Sequence, residues 1–153
     1  MLSCALRFRE AFKMLHDRDP RYDSCPLDED WDKVQKVCLV LESFWTSTHI
    51  ISGSEYPTSN LFLQEVQKVK SSLDKNANHK ESFIKDLVCR MKLKFDKYWS
   101  ECNLLIAIDA VLDPTKKLLA VEFCFPKLYL KEEVVQNISK VKETLTTLYE
   151  EYA

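Results

Sequence analysis

Two aspartates, Asp109 and Asp113, stand four residues apart, the spacing that puts side chains on neighbouring turns of one helix face. Paired carboxylates of this kind are what metal-assisted cleavage of a phosphodiester requires, provided a third ligand converges on the same ion. Asp113 precedes Pro114, however, so a helix cap followed by proline at the first helical position is the stronger reading, and no third acid can be named beside them. His16, His49 and His79 are far apart, with no HxxxH or HExxH turn and no cysteine two to four residues away, so a zinc site is not expected. Ser52-Gly53-Ser54 resembles a nucleophile elbow only superficially, because no strand leads into it, and reads as a bend. Trp31, Trp45 and Trp99 have the ring chemistry to stack on bases, yet each falls in register with an apolar helical face and is expected in the core.

What survives is electrostatic. Lys85, Arg90, Lys92, Lys94 and Lys97 decorate a stretch whose apolar residues recur at helical spacing, and cations arranged so are candidate contacts to nucleic-acid phosphates. Nine lysines and arginines face six acids between Glu65 and Glu101, whereas Arg21 to His49 holds three against six. The formal net charge of −2 supplies no global attraction for DNA, so any binding rests on this local patch. The competing reading is an ordinary solvated helix face.

The elements that position these residues are read as helices. A chain of 153 residues has material for one core, and one glycine with five prolines leaves little for hairpin turns or phosphate-cradling loops, which excludes β-sandwiches, barrels, Rossmann folds and P-loops. No apolar run is long enough to span a membrane, and charge at Arg7 interrupts the start too soon for a signal peptide. The chain reads as intracellular, and the six scattered cysteines read as free, mostly buried thiols. Periodicity predicts helices over Ser3 to Asp17, from Asp28 through Trp45, from Leu61 through Leu73, from Lys80 to about Trp99, a short one after Asp113 closed by Pro126, and a last one from Lys131. Leu104 to Ile108 is a buried strand or helix, with helix preferred because no partner strand is available. In the last helix Val134, Ile138, Val141, Leu145, Leu148 and Tyr152 alternate at four- and three-residue steps, a seam suited to self-association or to a partner helix.

Several blocks are specific enough to carry a resemblance: Phe8-Arg9-Glu10-Ala11-Phe12, Asp19-Pro20-Arg21-Tyr22, Asp30-Trp31-Asp32-Lys33-Val34, Ser52 to Leu61, Met91 to Trp99, and Val111-Leu112-Asp113-Pro114. Together, in this order, they resemble the hAT-superfamily transposases, in particular the plant BED zinc finger, RICESLEEPER-like type, from Phe8 almost to Tyr152. The resemblance implies a helical insertion of an RNase H-like transposase, with the acidic catalytic residues and the zinc finger lying outside the matching stretch. No catalytic residue, metal or cofactor is therefore carried over. The usual basic residue after Leu-Asp-Pro is replaced by Thr115, which removes one expected cation.

The expectations are an all-α chain over residues 1–153, a single helical domain of six or seven helices. The resemblance adds a non-enzymatic, fragment-like or domesticated transposase relative, nuclear, touching DNA weakly through backbone phosphates. The alternative is a protein-interaction module docking through the C-terminal helix.

Overall fold

A computed structural model describes residues 1–53 and 59–153; most of the Ser54 to Ser59 stretch, including Pro57, lies outside the described residues. Seven α-helices and one 3-10 turn account for the secondary structure, with no strand among the described residues. They are α1 (Leu2–Arg7), α2 (Arg9–Arg18), α3 (Asp28–Ile51), a 3-10 turn at Ser59–Leu61, α4 (Phe62–Asn76), α5 (Ser82–Leu112), α6 (Lys117–Leu128) and α7 (Lys131–Tyr152). The all-α expectation stands. Contacts gather the chain into two compact units, Met1–Glu42 and Ser43–Ala153.

In the first unit the helix expected over Ser3 to Asp17 is two. Phe8 interrupts it at φ −102°, ψ 16°, with its amide bonded to Ala5 O at 3.0 Å, a tighter turn than the α-helix allows. α2 ends at Asp19, whose extended backbone is what the following Pro20 demands. Asp28, Glu29 and Asp30 open α3, where unpaired amides favour carboxylates. Asp28 accepts from Arg9 at 2.6 Å and lies 3.1 Å from Lys13, and the Arg9 hydrogen bond holds its carboxyl below the usual range. Phe12 packs on buried Trp31 with ring centroids 5.5 Å apart.

In the second unit α4, α5, α6 and α7 enclose the main core. Ala107, Ala110 and Ala120 are buried between α5 and α6, and such small side chains let two helices approach closely. Around them Leu63, Val121, Phe125 and Val141 are almost wholly removed from water. Leu104 to Ile108 is helical, absorbed with the Lys80 to Trp99 segment into the 31-residue α5; nothing between Ser82 and Leu112 is a glycine or proline, so no signal stops it.

Three local expectations change. Asp113 does not cap α6 directly: it organises a turn from Asp113 to Lys116, and α6 starts only at Lys117, a non-glycine residue at φ 53°. Pro126 sits inside α6, within its last turn, and the helix ends two residues later. Trp45 is not core. It lies two residues from buried Ser47, hence on the opposite side of α3, and is 69% exposed, its ring stacked on His49 at 5.5 Å. Of the six free cysteines only Cys124 is buried, while Cys4, Cys89 and Cys102 are exposed.

Candidate nucleic-acid interface

α5 positions every candidate cation. Its length, about 45 Å at 1.5 Å per residue, makes it a rigid rod, and Ile84, Val88 and Trp99 anchor one side of it in the protein. The opposite side is left for water and ligands. Arg90, Lys94 and Lys97 recur at the four- and three-residue steps that align side chains, so they form one exposed stripe about 10 Å long. None of the three makes an ion pair with a described residue.

Lys85 and Lys92, seven residues apart, share a different flank. Lys92 is half-buried and its ammonium donates to Asp74 of α4 at 2.5 Å, an attachment that raises its pKa. Its charge is thus largely answered within the molecule. Lys70 joins the same network, 3.9 Å from Asp74 and 4.0 Å from Asp96, with its ammonium over the Phe95 ring. The five cations therefore divide into a free stripe of three, an exposed Lys85 and a neutralised Lys92.

The two aspartates have different surroundings. Asp113 is occupied: its carboxylate accepts from the Thr115 amide at 2.9 Å, the Thr115 hydroxyl at 2.7 Å and Asn60 Nδ2 at 2.8 Å. The Thr115 bonds, chiefly, hold its carboxyl below the ordinary range. Lys116 completes the knot by donating to Asn60 O at 3.0 Å. Thr115 thus has a structural use where the resemblance leads one to expect a cation. Asp109 instead lines an apolar groove on α5. Among the described residues no group of three His, Cys, Asp or Glu could hold a metal ion.

A buried polar cluster was not anticipated. Glu65 on α4 is almost wholly buried, accepts from the Ser47 hydroxyl at 2.9 Å and pairs with Lys68 at 2.5 Å. The sequence hint was weak: Glu65 sits among Leu61, Phe62, Val66 and Val69, on a helix otherwise read by its apolar residues.

The α7 seam is largely consumed at home. Val141 is buried and Val134, Ile138 and Leu145 pack on the core of the same unit, while Leu148 and Tyr152 extend past it and remain exposed.

A family model described as hAT-like transposase, RNase-H fold, matches residues 60–152. The chain belongs to this family. RICESLEEPER 2, a zinc finger BED domain-containing protein of Oryza sativa subsp. japonica, is 37% identical over 152 residues, covering 99% of this chain and 21% of the rice protein. DAYSLEEPER, a zinc finger BED domain-containing protein of Arabidopsis thaliana, is 32% identical, covering 99% of this chain and 22% of its own length. A candidate AC transposase of Zea mays is 34% identical over 131 residues, 84% of this chain and 16% of the maize protein. The hAT-like chain thus spans about a fifth of the length of these curated relatives. No solved structure matches it significantly. Within the matched stretch lie α4, α5, α6 and α7, and with them all five cations.

Proposed function

We propose that this hAT-family chain is a non-catalytic, DNA-contacting helical module, equivalent to the helical insertion of a transposase, that works in the nucleus. The observation that carries the reading is the free Arg90, Lys94 and Lys97 stripe on a rigid helix, inside the family match. Phosphate contacts of this kind fix position without reading sequence. Lys85 adds a more distant contact, and Lys92 contributes least because Asp74 already answers it. Relatives named as BED zinc finger proteins and as an AC transposase support a DNA context.

The test is fluorescence anisotropy with duplex DNA across a salt series. Three phosphate contacts give a slope of log K against log salt near −2.7, at about 0.9 per contact. Reversing Arg90, Lys94 and Lys97 to glutamate is expected to abolish binding, while Lys92→Glu changes it little. Retention that ignores salt, or an unaltered affinity in the triple variant, defeats the proposal. Strand cleavage with manganese that is lost on changing Asp109 and Asp113 defeats the non-catalytic part.

A second reading, a protein-interaction module, is favoured by one observation: Leu148, Tyr149 and Tyr152 at the end of α7 are exposed.

A further inference from the structure

Trp45 is an aromatic ring that the DNA reading leaves unused. It lies on the part of α3 that belongs to the second unit, the unit that also holds α5. Its indole stacks on the His49 imidazole one turn further on, with centroids 5.5 Å apart and planes within 6° of parallel. An indole has two faces. With one of them against His49 the residue is still 69% exposed, so the other face is open to water. A lone apolar side chain on a surface is ordinary. A ring held in one plane by a second ring is a prepared surface, because the stack orders the indole before anything binds and lessens the entropy lost when something does.

The surroundings decide what fits that face. Between Ser43 and Gly53 the sequence has no acid, so nothing in that stretch repels a phosphate. Phe44, the residue before Trp45, lines the apolar groove along α5 whose wall also includes Lys94, the middle cation of the free stripe. An open aromatic face and a row of free cations therefore stand on adjoining parts of one unit. Single strands are held by this combination, with phosphates on the cations and bases on the rings. A duplex cannot use the ring, since its base faces are already stacked on one another except at the ends. We propose that the Trp45–His49 pair is a stacking platform for an unpaired base, so that the stripe and the platform together prefer single-stranded DNA to duplex. The platform rests on the DNA reading and adds a base-dependent part that phosphate contacts lack. Every base has a π-face, so the platform does not select sequence.

Fluorescence anisotropy on the full chain tests it with three labelled probes: an oligo-dT strand, an abasic strand of the same length, and the dT strand annealed to its dA complement. Trp45→Ala is expected to weaken binding of the dT strand about tenfold or more and to leave duplex binding unchanged. The abasic strand keeps the phosphates and lacks the bases, so the parent should hold it about as weakly as Trp45→Ala holds dT. Trp45→Phe should recover part of the loss. The side chain is exposed, so thermal melts of both variants should match the parent. Tryptophan emission gives a second readout: Trp31 and Trp99 are buried, so quenching by the dT strand should belong to Trp45 and vanish in Trp45→Phe. Equal affinity of the parent and Trp45→Ala for dT overturns the platform. So does an equal loss on strand and duplex, or quenching that persists without Trp45. Should any of these occur while charge reversal of Arg90, Lys94 and Lys97 still abolishes duplex binding, the platform falls and the DNA reading stands. If the parent binds neither strand nor duplex, both fall.

Discussion

Asp113 joins the end of α5 to the 3-10 turn and to the entry of α6, because one carboxylate serves Thr115 twice and Asn60 once. Those donors favour the charged form, so its pKa in the folded chain lies below the ordinary value of 3.8. The sign follows from linkage: at pH values near and below 3.8 the unfolded chain takes up the proton first, so the stability this group contributes is complete above that value and fades as pH falls through the depressed one. Asp113→Asn is expected to lower stability at neutral pH and to flatten the acid limb of a plot of melting temperature against pH. An acid limb identical to that of the parent rejects the assignment. At the alkaline end burial pushes Tyr129 up to about 12, consistent with its rings packed against Phe125 and Trp99.

At the scale of the helix, the three tryptophans separate what pattern can and cannot reveal. Trp31, Trp45 and Trp99 all fit an apolar periodicity, but only Trp31 and Trp99 are buried. In α3 Trp31 and Trp45 are fourteen residues apart and nearly share a face, but Phe12 of α2 packs on Trp31, whereas Trp45 stacks on His49 of its own helix and stays exposed. Trp99→Ala is therefore expected to cost about 3–5 kcal/mol, the range for emptying a large aromatic site, while Trp45→Ala stays within about 0.5 kcal/mol. Urea unfolding of the two variants checks this, and equal losses would place both rings in the core. The helices themselves were legible because apolar residues recur at three and four steps with few glycines or prolines to interrupt them. Two boundaries were not. The break at Phe8 has no glycine or proline to announce it, and Asp113-Pro114 reads as a helix start although the chain completes a turn first. The cations were legible as a group, and their division into flanks follows from 100° per residue. The neutralisation of Lys92 was not, because Asp74 is eighteen residues away on another helix. The α7 seam was legible as a face, whereas its partner, the core of its own unit, is a tertiary fact.

The two units of the whole molecule differ in what stabilises them. In Met1–Glu42 neither α1 nor α2 buries a single residue, and Trp31 with Val40 supplies the buried apolar surface. Ser43–Ala153 holds the contiguous cluster from Leu63 through Val141. Burial contributes roughly 25 cal/mol per Å² of apolar surface, so the opening free energies of the units should be ordered in the same way as their cores. The ion pairs of Asp28 with Arg9 and Lys13 do not reverse the order, since Asp28 is exposed and surface pairs contribute about 0–1 kcal/mol. Hydrogen exchange read by mass spectrometry is expected to show α1 and α2 exchanging well before the middle of α5 and α6. Raising the salt should speed exchange in the first unit further, through screening of those pairs, while leaving Ala107 to Ala110 unchanged. Equal protection across both units would mean that the chain opens only as a whole, and the assignment of its stability to the α5–α6 core would fail. The same experiment with duplex DNA added connects stability to binding. Protection gained around Arg90 to Lys97, with none in the first unit, is the pattern the cationic stripe requires; protection gained only in α2 would move the contact away from α5.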